Sequence, residues 1–281
     1  MVLVTGAGGK TGRAVAAALL ARGVAVRAWV RRPEQVPAGA EWVTGDLLDE
    51  AVWETAVSGI DAVYLICPNM FEQETAVGQL AIAAAKKAGI SHFVYHSVLH
   101  PQTEEMPHHW QKLRVEEMLW ASRLPVTVLQ PCAYMQNILG GQARIEQAGV
   151  YAVPYPVTTR LSLVDLADVA EAAAVVVMEP GHVGATYELC GDDAPTQRDV
   201  ANSLAAVLGR PVTAVEIPLA VWREQAAHLP LYARETLAAM FAYYARYDFV
   251  GNGHVLSWLL KRPSTSLAAF LGQANWFNFE D

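Results

Sequence analysis

Apolar and polar positions along the chain alternate between two patterns. Strands with apolar centres are predicted at 1–4, 24–30, 60–68, 91–97 and 126–130, and over 60–68 the apolar run is nearly continuous. Such runs are what parallel strands need when both faces are covered. A further strand with its exit loop is predicted over 41–47. Between these runs lie stretches with helical spacing at 13–22, from about Leu48, at 71–89 and at 107–122. Gly89 stands where a helix stops in a left-handed residue, and Pro107 where a first turn tolerates a missing N–H. Regular alternation of strand and helix predicts right-handed crossovers and an α/β fold with a doubly wound parallel sheet.

After Tyr134 the pattern changes. A helix over 134–148 is expected to break near Gly140-Gly141, and a short strand follows over 160–164. Asp165 precedes an apolar helix over 166–178, and strands are expected at 186–190 and 212–217. Thr196 and Asp199 have the spacing of a capping box for a helix that ends at Gly209. The remainder reads as mostly helical, with an aromatic bias from Trp222, Tyr232, Phe241, Tyr243, Tyr244, Tyr247, Trp258 and Trp276. Core packing accounts for most of these rings. The boundaries predicted are 1–150 for a first domain, with strands from about 160–190 added to it, and 151–281 for an interwoven C-terminal lobe.

The first turn carries the main chemical signal. Gly6, Gly9 and Gly12 follow the opening strand directly and lead into a helix, with Lys10 and Thr11 between them. Gly6 permits a tight turn, Gly9 lets the backbone approach a pyrophosphate, and Gly12 lets the helix lie close to the sheet. An anion would sit at the helix N-terminus. The second strand ends in Arg31-Arg32. An NAD-binding chain commonly has an acid there for the ribose 2′-hydroxyl, whereas a guanidinium suits a 2′-phosphate. Arg31, with Arg32 as helper, therefore points to NADP(H), against a simple solvated arginine pair. Asp46 is placed either to accept from an adenine amino group or to cap the following helix.

Composition narrows the class. Of 281 residues 53% are hydrophobic, enough for a sizeable core. The net charge of −8 argues against nucleic acid as a partner. No apolar run reaches the length of a membrane span, and a cytoplasmic protein is expected. Cys67, Cys132 and Cys190 lie in or just after predicted strands, with no metal spacing and no disulfide framework. The apolar helices leave room for a homodimer.

The early glycine motif resembles that of the short-chain dehydrogenase/reductase superfamily. Its usual catalytic pair is a tyrosine with a lysine four residues later, but none of the five lysines here has a tyrosine at that position. Lys112 has His108 instead. The stretches 4–12, 30–33, 45–47, 96–97, 112–119, 124–131 and 164–170 together resemble the NmrA-like, atypical branch of that superfamily. Stretches at 186–190, 208–212 and 258–270 extend the likeness to nearly the whole chain. The resemblance implies a Rossmann-type domain that binds NADP(H), with a small C-terminal lobe for the substrate. Members include quinone, triphenylmethane-dye and isoflavone-type reductases, and redox-sensing regulators that bind cofactor without turnover.

By that resemblance Gly6, Gly9, Lys10, Thr11 and Gly12 would hold the pyrophosphate and Arg31 the 2′-phosphate. Asp46 and Leu47 would meet the adenine, Cys67 and Pro68 the ribose, and Lys112 the nicotinamide ribose. Read alone, Lys112 is a solvated helix lysine that pairs with Glu116. His108 is either a proton donor to a reduced oxygen or a surface residue. Ser97 is a substrate-binding serine or a loop cap. Tyr134 is a stacking wall for a flat aromatic substrate. His96 and His100 are assigned structural roles, and no metal is implied. The function expected is an NADPH-dependent reductase of a quinone, enone or carbonyl. The alternative is an NADP(H)-sensing regulator; a sugar-nucleotide epimerase is disfavoured by the missing tyrosine.

Overall fold

The computed structural model describes residues 1–274; Trp276 lies outside the described residues. In chain order the elements begin with β1 (Val2–Val4), α1 (Lys10–Leu20), β2 (Val26–Val30), β3 (Glu41–Thr44), α2 (Glu50–Ala56) and β4 (Ala62–Leu65). Then come α3 (Glu74–Ala88), β5 (His92–His96), α4 (Pro107–Ala121), β6 (Val126–Pro131), β7 (Ala133–Tyr134), α5 (Gln142–Ala148), β8 (Val150–Val153) and β9 (Leu163–Val164). The chain continues through α6 (Leu166–Met178), β10 (Thr186–Leu189), α7 (Gln197–Leu208) and β11 (Thr213–Glu216). It ends with α8 (Leu219–Gln225), α9 (Leu231–Tyr244), α10 (His254–Leu260) and α11 (Leu267–Gln273). Two compact units result, one of Met1–Pro131 with Leu166–Glu188, the other of Cys132–Asp165 with the chain from Leu189.

The first unit is built on a seven-stranded sheet in the order β10-β6-β5-β4-β1-β2-β3. The pairings from β3 across to β6 are all parallel, as the apolar runs predict. Strand order reverses between β1 and β4, the position at which doubly wound sheets bind ligands beyond the strand C-termini. Leu3, Val63, Leu65, Phe93 and Tyr95 are fully buried in one core with Trp53, Val77, Ala81, Val115 and Leu119. α1 buries a stripe of Gly12, Val15, Ala16 and Leu19. α3 and α4 lie against each other, and a Cβ on Gly78 would stand 2.9 Å from Val115 Cγ2. A larger residue at 78 would hold the two helices apart.

In the second unit β7 pairs with β9 and β8 with β11, both in parallel. The break expected near Gly140-Gly141 is present: a 3-10 helix over Met135–Gly141 gives way to α5. The strand expected over 160–164 is regular only at Leu163–Val164, with Arg160 and Leu161 in isolated bridges to Thr196 and Phe249. Thr196 and Asp199 form the capping box in full. Of the aromatic residues singled out, Tyr244 is buried, Trp222, Tyr232, Phe241 and Tyr243 are half-buried and Tyr247 is exposed; Trp222, Phe241 and Tyr244 pack with Tyr155 and Phe249 at centroid distances of 4.8 to 5.8 Å. Trp258 is 72% exposed. All three cysteines are buried and free. Among the described residues no helix is long and apolar enough to cross a membrane.

The tightest point of the fold gives a direct test. A Cβ on Gly12 would lie 2.6 Å from the carbonyl carbon of Gly6 and 2.8 Å from Ala7 Cα. Both are backbone atoms, so relief requires moving α1. Gly12→Ala is expected to lower stability by about 1–3 kcal/mol, the usual cost of overpacking, in urea unfolding monitored by circular dichroism.

Candidate active site

The first turn is fastened to both neighbours of β1. Thr5 N donates to Tyr64 O and Ala7 N to Trp29 O, each at 3.1 Å. The Thr5 hydroxyl donates to Ile66 O at 2.8 Å and accepts from Ile66 N at 2.7 Å. Gly6 takes φ +60, a left-handed conformation that a Cβ would strain. Gly9 N then donates to Gly6 O at 2.9 Å, and α1 starts at Lys10. No side chain caps this helix and its first turn holds no acid. The positive end of the dipole therefore faces outward from a backbone cradle in which a Cβ at residue 12 has no space. That geometry fits a dinucleotide pyrophosphate.

The other predicted contacts follow from β2, β3 and β4, whose C-termini share an edge of the parallel sheet. Arg31 and Arg32 are exposed at the end of β2; Arg32 pairs with Glu34 at 3.4 Å, and Arg31 has no ion-pair partner among the described residues. Asp46 Oδ1 accepts from Leu48 N at 3.0 Å, while the N-cap of α2 is Asp49. Two buried indoles hold this loop: Trp29 donates to Gly45 O at 3.0 Å and Trp53 to Leu47 O at 2.8 Å. Cys67 is buried and Pro68 is exposed beyond the end of β4.

Lys112 is neither solvated nor paired along its own helix. It pairs across to Glu74 Oε1 at 2.7 Å and also donates to His96 O at 3.2 Å. Its ammonium lies 5.5 Å from the centre of the Tyr95 ring. Tyr95 donates its hydroxyl to the same Glu74 oxygen at 2.7 Å. Glu74 is 1% exposed. Glu116 is occupied elsewhere, accepting from the Ser97 hydroxyl and from Gln130 Nε2 at 3.0 and 3.1 Å. Burial raises the Glu116 pKa despite those donors. Ser97 is 2% exposed, so its hydroxyl serves this interior bond.

His108 is buried on the same helix, and its Nδ1 has no hydrogen-bond partner among the described residues. Desolvation, with His109 and Lys112 nearby, lowers its pKa to about 2. His109 packs edge-on against it at 4.3 Å and is lowered by burial to about 4. His96 is lowered by burial, and by Lys112, to about 3, and its Nδ1 bonds the Tyr64 hydroxyl at 2.9 Å. His108 is thus an interior, neutral ring, and no imidazolium acid stands at this position at neutral pH. Tyr134 belongs to the second unit, half-buried in β7.

Sequence reasoning overlooked Glu74, Tyr95 and Gln130. A signal for Glu74 exists: it shares the helical phase of the buried positions Val77, Gly78 and Ala81. Nothing local marks its partner, because Lys112 comes from another helix.

The family model described as the NmrA-like family matches residues 1–271. The (4-alkanoyl-5-oxo-2,5-dihydrofuran-3-yl)methyl phosphate reductase of Streptomyces griseus is 34% identical over 77% of this chain and 77% of its own length. Quinone oxidoreductase 2 of Escherichia coli is 30% identical over 95% of this chain and 96% of its own. Among solved structures, the NADPH-dependent quinone oxidoreductase of Escherichia coli complexed with NADPH superposes with a TM-score of 0.86. That match has 29% identity and covers 96% of this chain and 98% of that one.

The three buried rings predict an acid-sensitive fold. Unfolded, each takes up a proton near pH 6.5; folded, only near pH 3 (His96), 2 (His108) and 4 (His109). The stability gained by keeping them neutral is complete above pH 6.5 and is lost as pH falls through the range below it. The slope is up to about 1.4 kcal/mol per pH unit for each ring. Urea unfolding at pH 7, 6 and 5 measures it, and His108→Leu should remove about a third of the slope these rings supply.

Proposed function

Because the chain belongs to the NmrA-like family, we propose that it is an NADPH-dependent reductase acting on a small, electron-poor acceptor, a quinone before an enone or carbonyl. The observation that carries this reading is the uncapped, glycine-built helix start at the point where strand order reverses. Relatives named as a quinone oxidoreductase and as a reductase of an alkanoyl-oxo-dihydrofuranyl methyl phosphate, similar over most of their length, support it.

In this reading Gly6, Gly9, Lys10, Thr11 and Gly12 hold the pyrophosphate. Arg31, with Arg32 beside it, holds the 2′-phosphate. Asp46 and Leu47 meet the adenine, Cys67 and Pro68 the ribose, and Lys112 the nicotinamide ribose. The bound cofactor supplies hydride. The unit of Met1–Pro131 with Leu166–Glu188 serves as the cofactor domain, and the unit of Cys132–Asp165 with the chain from Leu189 as the substrate lobe.

His108 contributes as a neutral ring. A buried Nδ1 with no partner costs about 1–3 kcal/mol. With that atom closed to solvent, the ring serves as a neutral interior wall beside Lys112 and does not donate to the acceptor, so water protonates the product. Ser97 supports the same region through Glu116 and Gln130. Tyr134 is the candidate stacking face for a flat aromatic acceptor.

Loss of NADPH absorbance with a panel of quinones, enones and aldehydes tests the reading. Turnover is expected with quinones. Arg31→Ala should raise KM for NADPH about tenfold, the scale of one exposed charge-assisted contact, and leave KM for NADH unchanged. Tight NADPH binding with no oxidation by any acceptor would overturn the reductase reading in favour of a cofactor sensor.

A further inference from the structure

The mechanism above uses Lys112 but not the group that holds it. Glu74 is almost fully buried at the start of α3, in a helix whose inward face is otherwise small and apolar. An ionised carboxylate there is costly unless donors satisfy it. Two donors from two other elements do so: Tyr95 Oη from β5 and Lys112 Nζ from α4, each 2.7 Å from Oε1. Cys67, beyond the end of β4, is close enough to feel the charge. Burial and the Glu74 carboxylate keep its thiol protonated. The close approach of α3 and α4 at Gly78 and Val115, one turn beyond Glu74 and Lys112, sets the spacing that lets the two side chains meet.

We propose that Glu74 is a positioning residue: its carboxylate, itself fixed by Tyr95, holds the Lys112 ammonium at the end of β5 in the orientation that binds the cofactor. An ammonium has three donors. One goes to Glu74 and one to His96 O, which leaves the third in a defined direction. A lysine held by two bonds has surrendered most of its rotamer freedom before any ligand arrives, so binding does not bear that cost. A tyrosine, a carboxylate and a lysine from three elements thus fix the ammonium by tertiary contact, and the tyrosine serves as a buried donor to the carboxylate.

The inference rests on the proposed role of Lys112 toward NADPH, and a double-mutant cycle separates the two. NADPH affinity is measured by calorimetry for the unaltered protein, Glu74→Gln, Lys112→Ala and the double variant. Glu74→Gln keeps size and hydrogen bonding but removes the charge. It is expected to weaken NADPH binding about tenfold in the Lys112 protein and less than about twofold when Lys112 is already alanine. Glu74→Asp, which restores the charge, should recover most of the loss. Equal losses in both backgrounds would overturn the proposal, because a merely structural role acts whether or not Lys112 is present. A loss with Lys112→Ala but none with Glu74→Gln would overturn it while leaving the cofactor reading intact. Unchanged affinity in Lys112→Ala would overturn the reading of Lys112 and this inference with it. Should Glu74→Gln not fold, Glu74→Met, similar in size and uncharged, gives the same cycle in the two backgrounds, with the loss again expected only in the Lys112 protein.

Discussion

The carbonyl group of Gly6 occupies the place where a side chain at residue 12 would begin. That steric exclusion allows α1 to start directly on the turn that leaves β1. It also turns the start of the helix toward whatever lies beyond the strand ends. Thr5 and Ala7 then tie the turn to the end of β4 and to β2, so the cradle is held by the two strands flanking β1. The cradle needs almost no side-chain chemistry of its own. It is made of backbone, and its precision comes from the sheet.

Much of this could be read without coordinates, for a physical reason. A parallel strand buried on both faces is mostly apolar, so β1 and β4 announce themselves as unbroken runs and β2, β5 and β6 as runs with an apolar centre. Helix ends are similarly local: Gly89 and Gly209 are left-handed stops, and Thr196 with Asp199 caps α7. β8 escapes notice because it is short, incompletely buried and paired with β11 far along the chain. No pattern within four residues specifies a partner so remote.

The candidate site divides along the same line. The glycines and Arg31 belong to contiguous segments, so their proposed roles follow from order alone. The interior around Lys112 is not, because its meaning depends on which residues of α3, α4 and β5 meet. Sequence spacing offers Glu116 as the partner of Lys112; packing gives Glu74 instead and commits Glu116 to Ser97 and Gln130. His108 shows the same effect. Helical spacing cannot say that its ring is enclosed, and enclosure decides its charge.

The indoles that anchor the exit of β3 have a consequence of another kind. Trp29 and Trp53 lie with ring centres 4.7 Å apart and tilted by 59°. Each is bonded to a carbonyl on either side of Asp46. Chromophores so close share their excitation, and the ultraviolet emission and ellipticity of the pair depend on that spacing. The loop assigned to the adenine therefore has an optical gauge built into its own foundations, and it needs no label to be read.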